Sequence, residues 1–407
     1  MSKSPLSLAV PEGRSFAALI WGQLLSRLGW SACVFAIPLF VIDETHSLVL
    51  TGLISSLSLI SGFSTMLPMG VVVDRFSRIH IIQLSYSCIA CVTALTLVFF
   101  VWGHAAVTSL FIVIVCGGIA NNMSGPGVVA ILRSSVPKES LGRAFSIEQG
   151  RANVVSIAGG PIGGILYSIH HMAPFLACVV LQLVAILMTL FVKEGSRPVA
   201  ISLKKVSEWT LGIRYLFRKP TLMLIGILGC ITNLSLYGVL YGLIFGFRVQ
   251  YTSSSSISLI EMSAGIGGLI ATPLAAKYLD RLRVGYVAAI SSVLLAIGLL
   301  IASLGANIIA AVIGFALCGF VLVPWNASLF GYLAAATDVA YQGRVQSAVS
   351  ILSGIASPLA PALVAPTISL LGMRDACLAF TLLAIAAALC QFQPAIFHIR
   401  HLDDYAK

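Results

Sequence analysis

The 407-residue sequence is poor in charge: only 9% of its residues are Asp, Glu, Lys or Arg. A soluble domain carries about 25%, and the mean hydropathy of +1.01 sits with that deficit. Long polar stretches are also missing, so most of the chain has no way to form a hydrated surface. No glycine-rich phosphate-binding loop followed by Lys-Ser/Thr occurs, and no H-E-x-x-H metal pair. Each of these absences removes an enzyme class. The nine cysteines (33, 88, 91, 116, 178, 230, 318, 377 and 390) all fall inside apolar runs. Their spacing suits neither a zinc site nor a disulfide framework, and they read as small hydrophobes packing between helices. We therefore expect no cofactor, no metal and no enzymatic activity.

What remains is a succession of apolar runs. At about 20 residues per crossing, they give twelve spans near 16–42, 51–73, 79–101, 107–132, 142–168, 173–192, 221–247, 256–276, 284–304, 308–333, 345–370 and 375–396. The fold class is an all-α polytopic membrane protein. The formal net charge of +10 does not mark a nucleic-acid binder, because Lys and Arg collect in alternate loops. The opposite loops keep only Arg248 and Arg374, while Arg27 and Arg151 lie within spans. By the positive-inside rule both termini are cytoplasmic. The first span follows a short polar leader without a small-residue cleavage site, so it reads as an uncleaved helix. Residues 193–220 form the only sizeable connection. Their basic character, with Val206, Trp209, Ile213 and Leu216 at helical spacing, predicts an amphipathic helix on the membrane surface. It separates a bundle at 1–192 from a second at 221–407.

Short charged knots punctuate the runs. Gly70-Val-Val-Val-Asp74-Arg75-Phe-Ser-Arg78 joins the second span to the third. A weaker copy, Ala276-Lys277-Tyr-Leu-Asp280-Arg281-Leu-Arg283, joins the eighth to the ninth. Gly142-Arg143-Ala-Phe-Ser146 before span five recurs as Gly343-Arg344-Val-Gln-Ser347 before span eleven, so the halves repeat one design. Span five contains Gly159-Gly160-Pro161-Ile-Gly163-Gly164, where proline frees a carbonyl and the glycines permit a kink and close packing.

Both loop copies resemble the G-x-x-x-D-R-x-x-R/K signature of the major facilitator superfamily; the second has Ala276 in place of the glycine. The resemblance covers nearly the whole chain. It implies two pseudo-symmetric six-helix bundles, a secondary transporter working by alternating access, and a gating role for Gly70, Asp74, Arg75, Arg78, Asp280 and Arg281. Gly160, Pro161, Gly163 and Gly164 are similar to the fifth-helix motif of the superfamily's antiporters, which implies export. Gln23-x-x-Ser26-x-x-Gly29, the loop 70–78 and Gly142-Arg143 with Glu148-Gln149-Gly150 resemble the branch of enterobactin exporters and macrolide efflux proteins. That branch implies proton-driven drug efflux, antibiotic resistance and a monomer in the bacterial inner membrane, its partners being a small molecule, protons and the bilayer.

Charges at membrane depth are costly and mark functional candidates. Arg27 lies about halfway through span one, with Gln23 and Ser31 one turn to either side. It suits an anionic or carbonyl-rich group, or a buried salt bridge. Glu148 and Arg151 sit three residues apart on one face of span five. Glu148 is a proton-coupling candidate, paired with Arg151 or Arg27, and the three groups together leave one positive charge. Glu261, about one turn into span eight, is the second coupling candidate. Asp43 and Glu44 end span one and read as solvated. The resemblance makes spans one, four, seven and ten cavity-facing, which adds Asn121, Asn122, Asn233, Tyr237, Tyr241, Trp325 and Asn326 as substrate-binding candidates. The leading function is proton-driven efflux of a small organic molecule such as a drug, antibiotic or siderophore. Import of an anionic nutrient is the alternative, and a non-transporting sensor or scaffold the reading from another class.

Overall fold

The computed structural model describes residues 14–65, 76–102, 106–135, 141–192, 209–279, 282–305, 307–337 and 342–399. Among them there are helices and short connections but no strands. In chain order they are α1 (Arg14–Thr45), α2 (Leu48–Thr65), α3 (Arg78–Val101) and α4, whose parts Ala106–Ile112 and Gly118–Ser135 flank a wider π turn at Val113–Gly117. There follow α5 (Leu141–Ile169), α6 (Ala173–Thr189), α7 (Trp209–Arg218), α8 (Pro220–Val249), α9 (Ser254–Tyr278), α10 (Val284–Gly305) and α11 (Ile308–Ala335). The chain continues through α12, made of Gln342–Gly354, a 3-10 turn at Ser357–Leu359 and Ala360–Leu371, then α13 (Met373–Cys390) and α14 (Pro394–Phe397).

Eleven of these helices are long and apolar enough to cross a membrane, and the 17-residue α6 is a shorter apolar helix beside them. The twelve-span reading is met, with starts within three residues of the expected ones. Span twelve ends early, at Cys390 instead of 396, because Pro394 opens a separate turn. Large apolar side chains such as Leu183, Leu187, Leu382 and Leu389 are more than half exposed, which suits a surface solvated by lipid. Polar caps fix some starts: Ser253 Oγ accepts from Ser256 N at 3.3 Å ahead of α9. Asn307 Oδ1 does the same for Ala310 N at 2.9 Å ahead of α11.

The chain packs as two units. One comprises Met1–Val34 with Ser61–Ile201, the other Phe35–Ile60 with Ser202–Lys407. The end of α1 and most of α2 group with the second unit. In the first unit Leu19, Ile82, Tyr86, Val128 and Ala185 form the core. In the second, Leu222, Ile225, Trp325, Leu329, Val345 and Ile396 do so. Within the expected linker the helix begins at Trp209. Leu216 is buried in the second unit's core while Arg214, Phe217 and Arg218 stay exposed, as an amphipathic helix requires.

The π turn of α4 widens the helix and redirects carbonyls that a regular helix would pair. Ser61 Oγ donates to Ile114 O at 3.0 Å, and Ser85 Oγ donates to Ala120 O just past the turn at 2.6 Å. The glycines of α5 act by close approach to α1. A methyl added at Gly163 would stand 2.6 Å from the Ala32 carbonyl oxygen, and one at Gly159 would overlap Ser31. The helix runs through Pro161 from Leu141 to Ile169 without a break.

Candidate functional site

Arg27 is the centre of a polar network inside the first unit. One turn earlier on α1, Gln23 is fully buried and has both amide atoms engaged. Its Oε1 accepts from Tyr86 Oη at 2.6 Å, and its Nε2 donates to Ser124 Oγ at 3.4 Å. Ser124 Oγ donates onward to Asn121 O at 3.1 Å and accepts from Arg27 Nη2 at 3.5 Å. Gln23 thus holds the serine on which the guanidinium leans.

Arg27 has no ion pair among the described residues, and its buried Nε finds no hydrogen-bond partner. Glu148, the acid that was open to pairing with either arginine, is taken by Arg151. Arg151 Nε donates to one carboxylate oxygen at 2.9 Å and Nη2 to the other at 2.7 Å. This is the planar fork expected at an i, i+3 spacing on one helix face. Arg151 Nη1 stays buried and unpartnered, as does Asn121 Oδ1. Arg27, Arg151 and Glu148 are near enough for their charges to act on one another. Two guanidiniums and one carboxylate leave one positive charge and two idle N–H donors in an apolar surrounding. Such donors have the chemistry to meet an anion or a carbonyl-rich group.

Asn122 is spent on packing within this unit: its Nδ2 donates to Gly62 O at 2.8 Å and to Thr65 Oγ1 at 3.1 Å. The sequence reading passed over Gln182. It is fully buried, accepts from Ser26 Oγ at 2.8 Å and donates to Ser26 O at 3.1 Å. Ser26 precedes Arg27, so this pair fixes α1 against α6 where the arginine is mounted. A lone glutamine in the apolar run 173–192 was the signal available.

The second unit holds the other candidates. Asn233 Nδ2 donates to Gly229 O at 3.0 Å and to Ser353 O at 3.2 Å, which ties α8 to α12. Trp325 is buried with Nε1 unpartnered, and Asn326 beside it is exposed. Tyr237 and Tyr241 are half-buried on α8, and both lie where the charge of Glu261 on α9 reaches them. Glu261 itself is half-buried.

Asp43, read as solvated, is instead paired. Arg248 Nε donates to Asp43 Oδ1 at 2.7 Å and Nη2 to Oδ2, while Nη1 reaches Ser254 Oγ at 3.3 Å. The sequence reading missed this because 205 positions separate the partners. Arg78 opens α3, but Gly70, Asp74, Arg75, Asp280 and Arg281 lie outside the described residues. Among the described residues no group of three His, Cys, Asp or Glu side chains is placed to hold a metal.

The sequence profile of the Major Facilitator Superfamily matches residues 19–361. No curated protein matches the chain. Among solved structures, a bacterial homolog of the human lysosomal transporter Spinster superposes with a TM-score of 0.75 at 16% identity, covering 95% of this chain and 98% of that one. A bacterial homologue of the iron transporter ferroportin gives 0.70 at 15%, covering 97% and 99%. A D-xylose-proton symporter gives 0.67 at 15%, covering 93% and 97%. Identities this low establish a shared fold.

Proposed function

The chain belongs to the major facilitator superfamily and is a multi-pass membrane transporter, and we propose that it exports a small organic molecule with an anionic or carbonyl-rich group, driven by protons. The observation that carries this reading is the unpaired guanidinium of Arg27 beside the Arg151–Glu148 pair. A transporter has use for an uncompensated charge at membrane depth, whereas a scaffold or sensor would bear its cost without return. The cargo's anionic group would neutralise the site by accepting from Arg27 Nε and Arg151 Nη1. Gln23, Ser124 and Asn121 would set the guanidinium's position, and Asn233, Trp325 and Asn326 remain binding candidates in the second unit.

Export is favoured by the Gly160-Pro161-Ile-Gly163-Gly164 segment of α5. Import of an anionic nutrient through the same arginine is the second reading, and drug or antibiotic efflux the form of export the sequence resemblance favours. We place the protein as a monomer in a bacterial inner membrane with both termini cytoplasmic, which puts the loops 70–78 and 276–283 on the inner side as gates.

Susceptibility profiling tests this in a sensitive bacterium carrying the wild-type gene, Arg27→Ala or an empty vector, against a panel of compounds with and without carboxylates. Losing a charge-assisted hydrogen bond costs about 1.5–3 kcal/mol, roughly 10- to 150-fold in affinity. Resistance conferred by the wild type should therefore fall close to the empty-vector level in Arg27→Ala and recover in part in Arg27→Lys. Full resistance in Arg27→Ala at wild-type protein level would refute the assignment. Greater accumulation with the wild type than with the vector would establish import.

A further inference from the structure

The two membrane acids differ in one respect that the sequence hides. Both carboxylate oxygens of Glu148 accept from Arg151. Glu261 has no ion pair and no hydrogen bond among the described residues, though its side chain is half-buried. We propose that Glu261, faced by Tyr237 and Tyr241, is the proton-carrying carboxylate of this transporter, and that Glu148 serves to position Arg151. This deepens the transport reading above and rests on it.

Among the described residues no cation is paired with Glu261. It lies seven residues into α9, about 10 Å along the helix axis from Ser254. The helices packed against α9 are α11 and, more lightly, α8. Between Ile308 and Ala335, α11 has no Asp, Glu, Lys, Arg or His; its titratable groups are Cys318, buried at the Leu295 carbonyl, and Tyr332 in the core. α8 carries one charge, Arg248 in its last turn, whose guanidinium is held by both carboxylate oxygens of Asp43 and by Ser254 Oγ at the start of α9. Its remaining titratable groups are Cys230 and the phenols of Tyr237 and Tyr241.

A carboxylate without a cation in such a place is neutralised by a proton or by a bound cation. Two phenols one turn apart let it do so reversibly. On this proposal they would donate to the carboxylate once the proton has left for water, and their oxygens would accept from the carboxyl when it has returned. The mounting is rigid. A methyl at Gly267 would overlap the Ala316 carbonyl of α11, and one at Gly319 the Ala264 carbonyl, one turn past Glu261. The two backbones touch there, so no water layer lies between them at that level.

The assay is infrared difference spectroscopy of the reconstituted full-length protein, titrated from acidic to alkaline pH without added substrate. It follows the protonated-carboxyl C=O stretch. The wild type should show a titrating band that Glu261→Gln removes and Glu148→Gln leaves in place. Tyr237→Phe and Tyr241→Phe should shift its midpoint without abolishing it, an effect a packing role would not produce. Should Glu261→Gln fail to fold, Glu261→Asp keeps the test: its band should remain at a displaced frequency and midpoint. A band retained unchanged in Glu261→Gln, or lost in Glu148→Gln, overturns the proposal. A wild type whose band appears only when sodium is withdrawn overturns it too, in favour of a metal cation. Since no cargo is present, failure here is separate from failure of the Arg27 test.

Discussion

The ion pair between Asp43 and Arg248 invites a double-mutant cycle, because its expected strength follows from its geometry. The guanidinium meets both carboxylate oxygens, one at 2.7 Å, and also contacts Ser254 Oγ at 3.3 Å and Thr252 O at 3.5 Å. The side chains are 17% and 19% exposed. Exposed pairs contribute about 0.2–1 kcal/mol, while removing one partner of a buried pair costs about 3–5 kcal/mol. A bidentate pair less than one-fifth exposed falls between these limits. Asp43→Asn and Arg248→Gln should each destabilise the protein by roughly 2 kcal/mol, and the double variant by little more than either, giving a coupling of about 1.5 kcal/mol. Denaturant unfolding of the purified protein in one detergent, for the four forms of the cycle, gives the number. A coupling below about 0.3 kcal/mol, the ordinary scatter of independent sites, would mean that the pair contributes nothing.

Three further outcomes are expected. Gly163→Val should destabilise by about 1–3 kcal/mol, because its side chain meets the Ala32 backbone and cannot displace it cheaply. Gly150→Ala, with nothing within 4 Å, should stabilise α5 by about 0.5–1 kcal/mol. Thermal unfolding of the purified variants reads both, and equal melting for the two would contradict the packing of α5 on α1. A reporter active only outside the cytoplasm, fused after Lys407, should give no signal. A strong signal would reverse the proposed topology.

Apolar runs of about 20 residues were enough to call the helices, since a helix lets each crossing satisfy its N–H and C=O groups within its own segment. Within one helix the sequence also set which side chains share a face, as the i, i+3 spacing of Glu148 and Arg151 does. Tyr237 and Tyr241 share a face for the matching i, i+4 reason. The partner of a side chain on another helix was beyond its reach. Local spacing could not say whether Glu148 would choose Arg27 or Arg151 as its partner from the charges alone, nor that Asp43 would find Arg248. Gln182 is a single polar residue in an oily run, and only the packing of α6 beside Ser26 makes it a support for Arg27. Ser61 likewise donates to the Ile114 carbonyl in the π turn of α4 from 53 positions away in the sequence. Tertiary structure decided these because a buried polar group is satisfied by whatever stands opposite it, and what stands opposite is set by how the helices pack.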